Sequence, residues 1–180
     1  VVAITGPNTG GKTVTLKSLG LATLMARAGL FLPCQGTAKL PWCAAVLADI
    51  GDEQSLQQNL STFSGHVKRI ARILTAITNL QSAANGGLAP ALVLLDEVGA
   101  GTDPSEGSAL ATALLQQLAA TVQLSVATTH FGELKALKYN DPRFENASVE
   151  FNEASLRPTY RLLWGIPGRS NALAVARRLG

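Results

Sequence analysis

The chain has 180 residues, 47% of them hydrophobic and 15% charged, enough apolar content to bury a core and too much for global disorder. Fifteen basic against twelve acidic residues leave a net charge of +3, which permits contact with nucleic acid but excludes an arginine-rich binding arm. No run approaches the roughly 18 apolar residues of a membrane span and no signal sequence opens the chain, while Cys34 and Cys43 lack the companions of a zinc site or disulfide framework; together these point to a soluble cytoplasmic protein.

In chain order, the apolar run 1–4 predicts a buried strand, and Gly6-Pro7-Asn8-Thr9-Gly10-Gly11-Lys12-Thr13 completes the Gly-x-x-x-x-Gly-Lys-Thr pattern of a phosphate loop. That loop requires a strand before it and a helix after it. Its backbone N–H groups and the helix N-terminus surround phosphate oxygens, Lys12 neutralises their charge, and the Thr13 hydroxyl holds Mg²⁺. Residues 14–28 carry Val14, Leu16, Leu19, Leu21, Leu24 and Met25, many in helical spacing, with Gly29 as the C-terminal stop. Pro33, Gly36 and Pro41 then break the pattern into loops and short strands, one of them at 44–47. From Ser61 a helix is predicted, with Phe63, Val67, Ile70, Leu74 and Ile77 on the packed face and His66, Lys68, Arg69 and Arg72 on the wetter one.

A glycine-bearing loop over 83–90 precedes the apolar run 91–95, which reads as a buried parallel strand ending in Asp96 and Glu97. Asp103, Pro104 and Glu106 occupy the N-cap, first and third positions of the next helix, whose Leu110, Ala113, Leu114 and Leu118 share a side. A strand over 124–127 ends at Thr128, Thr129 and His130. Two further strands, 147–151 and 159–163, a turn at 165–168 and a helix at 172–179 complete the chain. The alternation predicts an α/β fold of the P-loop NTPase type, with a mostly parallel central sheet flanked by helices. Val1 opens inside an expected strand and Met25 is the single methionine, so the chain reads as a fragment, one domain of a longer polypeptide.

In a parallel sheet, ligands gather at the carboxyl ends of the strands. Asp96 is placed to bind Mg²⁺ through water, Glu97 to orient and deprotonate the attacking water, and His130 to meet the γ-phosphate or that water. The bland alternatives are a solvated strand end for the two acids and a structural His130, and convergence of the three in space is what the catalytic reading requires. Lys68, Arg69 and Arg72 read first as a solvated helix face.

The segment 5–13 resembles the phosphate loop of the MutS family of ABC-type ATPases. Leu60-Ser61-Thr62-Phe63 resembles that family's signature segment, the run from Asp96 to Asp103 its Walker B and D-loop, and Thr128-Thr129-His130 its switch histidine. The runs 49–55, 99–104 and 168–172 are most similar to the second bacterial MutS branch, the anti-recombination and ribosome-rescue paralogue that often carries a C-terminal nuclease. The resemblance covers nearly the whole chain. It implies ATP as ligand and a homodimer in which Ser61 serves, in trans, the nucleotide held by the other subunit. It also implies DNA (mismatched or branched) or a stalled ribosome with its rRNA as targets, reached through parts outside this chain, and a bacterial cytosolic, nucleoid or organellar location.

A small-molecule kinase shares the phosphate loop but needs an acceptor pocket and a lid. An ABC transporter subunit normally carries Leu-Ser-Gly-Gly-Gln where Leu60-Ser61-Thr62-Phe63 stands. A nucleotide-gated dimerisation module with negligible turnover is the non-enzyme alternative, and the presence of Lys12, Asp96, Glu97 and His130 argues for hydrolysis.

Overall fold

The computed structural model describes residues 1–6, 10–51, 59–152 and 157–168, without side chains for 59–62. In chain order the elements are β1 (Val2–Thr5), α1 (Lys12–Arg27), β2 (Ala45–Asp49), α2 (Asn59–Ala83), β3 (Ala89–Leu95), α3 (Pro104–Thr121), β4 (Val122–Thr128), α4 (Leu137–Asn140), β5 (Glu145–Asn152) and β6 (Arg157–Trp164). A 3₁₀ turn at Glu133–Ala136 leads into α4 and was not anticipated from the sequence.

Six strands form one sheet in the order β2-β3-β4-β1-β5-β6. β2 to β5 run parallel, and only β6 pairs antiparallel, on the edge beside β5. Burial on both faces explains why the central strands read as unbroken apolar runs. In β3, Ala91, Val93 and Leu95 enter the core beneath α2 and α3 with Ile73, Ile77, Leu115 and Leu118, whereas Leu92 and Leu94 enter the opposite core with Ile4 and Leu16 of α1. This two-step alternation is the pleat of a strand covered on both sides. The α/β fold with helices flanking a mostly parallel sheet therefore stands as expected from the alternation of patterns.

Three helix faces show what residue spacing alone did not settle. On α1 the side chains of Leu16 and Thr23 are buried while Val14, Leu21 and Leu24 are about half exposed, so its apolar residues do not form one buried stripe. On α3 Leu110 points outward, and the core side is made by Gly107, Ala111, Leu114, Leu115 and Leu118. On α2 His66 is not on a wet face: its ring is 14% exposed and bound to the buried Asp49. The expected helix at 172–179 lies outside the described residues.

Candidate functional site

Because β2, β3, β4 and β1 are parallel and adjacent, their last residues, Asp49, Leu95, Thr128 and Thr5, stand along one rim of the sheet. Everything with chemical promise sits just beyond that rim. The order matters, since β4 lies between the strand that leads into the phosphate loop and the strand that delivers Asp96 and Glu97. Thr128 and His130 are thereby placed between Lys12 and the two acids.

The first turn of α1 is built to leave donors open to a ligand. Gly11 takes a left-handed conformation (φ 93°), no side chain among the described residues caps the helix, and its first turn holds no acid. A left-handed residue at this corner favours glycine, which carries no Cβ penalty. Lys12 is only 2% exposed; its Nζ donates to Gly6 O at 2.7 Å and lies 3.5 Å from His130 Nδ1. Burial pulls its pKa below the ordinary lysine value, and the carboxylates of Glu97 and Asp96 push back upward. Gly6, Gly10, Gly11, Lys12 and Thr13 are gathered at this loop; Pro7, Asn8 and Thr9 lie outside the described residues.

Across the rim the two acids share one hydroxyl. Thr128 Oγ1 donates to Asp96 Oδ1 at 2.5 Å and accepts from Glu97 N at 2.8 Å. Asp96 is buried, at 6% exposure, and its main-chain N–H donates to Asp49 O at 2.9 Å. Glu97 has φ 50°, a left-handed conformation that a non-glycine residue adopts at a cost of about 1 kcal/mol. That turn ends the strand direction abruptly and brings Glu97 Oε1 to 2.9 Å from His130 Nε2. His130 therefore stands between Lys12 on one ring nitrogen and Glu97 on the other.

The loop is also held from behind. Gly168 N donates to Thr5 Oγ1 at 2.7 Å, and Lys135 Nζ donates to Gly168 O at 2.7 Å. A Cβ at Gly168 would stand 2.6 Å from Thr5 O and 2.7 Å from Gly6 Cα, so only glycine fits without displacing the entry to the phosphate loop. Thr5, Thr128, Lys135 and Gly168 were not singled out as site residues from the sequence. Their signal is a strand register and a chain contact across more than a hundred residues, neither of which a linear pattern carries.

Ser61 lies in the first turn of α2. Among the described residues no cluster of three or more His, Cys, Asp or Glu side chains forms a further metal site, and no helix is long and apolar enough to cross a membrane. An Mg²⁺–nucleotide ligand suits the donor set present: an uncapped helix start, a buried lysine, the Thr13 hydroxyl and a carboxylate, hard oxygen ligands for a hard cation.

Residues 2–180 match the description of MutS domain V. Proteins called Endonuclease MutS2 are similar over the entire chain. The one from Synechocystis is 69% identical over 188 residues, covering 100% of this chain and 23% of that protein. That from Thermomicrobium roseum is 56% identical over 100% of this chain and 22% of its own length. That from Lactiplantibacillus plantarum is 55% identical over 99% of this chain and 22% of its own length. The chain thus spans under a quarter of the length of these relatives.

Proposed function

The chain belongs to the MutS family through its domain V, and from that premise we propose that it is an Mg²⁺-dependent ATPase that binds ATP between two copies of itself and hydrolyses it. One observation carries this reading: the continuous polar chain from Lys12 through His130 to Glu97, and from the Glu97 backbone through Thr128 to Asp96. Five residues from three strand ends meet at one edge, as phosphoanhydride hydrolysis demands.

In this reading the backbone N–H groups of 6–13 and the ammonium of Lys12 bind the phosphates. Thr13 and, through water, Asp96 hold Mg²⁺, which supplies charge neutralisation on the phosphate oxygens when bound. The Glu97 carboxylate orients the attacking water and accepts its proton. Glu97 is aimed by the left-handed turn and by His130, whose Nε2 lies beside Oε1. Thr128 keeps the two acids distinct, since its hydroxyl proton is committed to Asp96 while its oxygen receives the Glu97 N–H. His130, in contact distance of both Lys12 and Glu97, transmits the presence of the γ-phosphate to the base.

Ser61 completes the site of the other subunit, making ATP the clamp of a homodimer. The open and closed states then switch a DNA-bound assembly acting on mismatched or branched DNA and suppressing recombination, or one on a stalled ribosome and its rRNA. These targets, and the endonuclease named in the relatives, are assigned to the three quarters of those proteins that this domain does not span. The location that suits such work is the bacterial cytosol or nucleoid.

Steady-state ATP hydrolysis and sedimentation of the full-length protein, wild type against Glu97→Gln, test the reading. The variant is expected to bind ATP, to turn over about 100-fold or more slowly, and to accumulate as an ATP-bound dimer. Equal turnover removes Glu97 as the base, and a wild type that dimerises on ATP without turnover moves the assignment to a nucleotide-gated dimerisation module.

A further inference from the structure

Asp49 ends β2 at 3% exposure, a carboxylate in a place where an unpaired charge would be costly. Its two oxygens are taken by α2: Oδ2 lies 2.7 Å from His66 Nδ1, and Oδ1 accepts from Arg69 Nε. His66 and Arg69 are three apart and so face the same way from the helix. Arg69 Nη2 also lies 3.3 Å from His66 Nδ1, closing a three-membered polar cluster. Burial alone would raise the Asp49 pKa, but the hydrogen bonds and charges of His66 and Arg69 outweigh it and hold the carboxyl below its usual range.

The location of this cluster on α2 is informative. The apolar anchors of that helix are Ile70, Ile73, Leu74, Ile77 and Leu80, which pack into the core beneath the sheet and lie in its C-terminal two thirds. Ahead of Ile70 the polar cluster ties the helix to the end of β2. Ser61 precedes His66 by five residues, about 7.5 Å along the axis. The same part of α2 touches the loop after Glu97, since a Cβ at Gly101 would stand 3.5 Å from Phe63 Cβ. The Asp49 main chain, by contrast, serves its own site, its carbonyl accepting from Asp96 N. A side-chain replacement leaves that backbone bond in place and cuts the tie to α2.

We propose that Asp49, gripped by His66 and Arg69, is a positioning residue that sets the first turns of α2, and so Ser61, for the nucleotide bound by the opposite subunit. This rests on the composite-site reading above. It follows that loss of the Asp49 carboxylate disables the partner's site and spares its own.

Mixed dimers of the full-length protein decide the point. Asp49→Asn alone is expected to bind ATP with affinity within about twofold of wild type and to lose about tenfold or more in turnover, a split that general destabilisation does not produce. Mixed with Lys12→Ala, it pairs an intact phosphate loop with an intact α2 in one of two sites. Activity then returns to about a quarter of wild type, because about half of randomly paired dimers are mixed and each retains one working site. Ser61→Ala mixed with Lys12→Ala is the control. If the control recovers and the Asp49→Asn mixture does not, Asp49 acts in its own site and the inference is overturned while the composite site stands. If neither recovers where differently tagged subunits copurify, the composite-site reading fails and takes the inference with it. Arg69→Gln, which cuts the same tie from a half-exposed position, provides the same test where Asp49→Asn does not fold. Wild-type turnover in both variants overturns the proposal.

Discussion

Helix α1 begins at Gly11 in a left-handed conformation, with no side-chain cap among the described residues and no acid in its first turn. Helix α3 begins at Asp103, whose Oδ1 accepts from Ser105 N at 2.9 Å and Glu106 N at 3.3 Å, with Pro104 in first position and Glu106 in the first turn. Each is the first long helix after a strand that ends at the site, and each start carries the same positive partial charge. In α3 that charge and its donors are met within the chain. In α1 no described side chain meets them, and a buried lysine stands beside them, an arrangement suited to an external anion. A helix start without a described cap is thus a candidate binding feature when the same structural task is met elsewhere in the same sheet.

The strongest way to break this contrast is to remove the cation from α1. Lys12→Ala is expected to lower ATP turnover about 100-fold or more, with loss of nucleotide affinity seen by fluorescent-nucleotide titration. Its melting temperature should be unchanged or raised, because the ammonium is desolvated, as the direction of its pKa shift indicates. A variant that unfolds instead would make Lys12 a structural residue.

A milder change makes α1 resemble α3. Val14 occupies the third helical position, the place of Glu106 in α3, and is 50% exposed. Val14→Glu should stabilise the free helix through the dipole, raising the melting temperature by about 1–3 °C, while weakening ATP binding severalfold by repulsion of phosphate. Tighter ATP binding would contradict the assignment of this helix start to an anion.

The smallest effect is expected from the reverse change on α3. Asp103→Ala should lower the melting temperature by about 2–4 °C and leave nucleotide affinity within about twofold of wild type. The Ser105 hydroxyl, then the backbone N–H groups of Ser105 and Glu106, hold the Asp103 pKa below its usual range. A depressed folded-state pKa means the cap contributes above the ordinary aspartate pKa near about 3.9 and is lost as pH falls through the lowered value. The gap between variant and wild type should therefore close in acid. A change in turnover larger than the change in stability would give Asp103 a part in the site itself.

Much of this was legible in the sequence, and particular residues show why. The phosphate loop, the acidic end of β3 and the Asp103–Pro104 start of α3 are local patterns, each set by neighbours within a few positions. The apolar runs of β1, β3 and β4 announced strands buried on both faces. The same local logic says less about α1, whose Leu21 and Leu24 have helical spacing and yet stand exposed, because periodicity identifies an apolar side without saying what covers it. It misjudged His66, which looks like part of a wet stripe until β2 brings Asp49 beneath it. The capping pattern at Asp103 was half realised: its carboxylate caps the helix, but Glu106 accepts from Thr102 Oγ1 at 3.3 Å.

The sequence by itself determined the local patterns, namely the phosphate-loop motif, the acidic strand end and the Asp103 cap, and where most helices and strands lie, since caps, loops and periodicities act over a single turn or pleat. Strand order was decided only by the tertiary structure. Placing β4 between β1 and β3 seats Thr128 against both acids and His130 between Lys12 and Glu97, and folding the chain back to Gly168 locks Thr5. Those contacts join residues up to 163 positions apart, and they arise from burying both faces of one sheet, a requirement of the whole chain that no local pattern encodes.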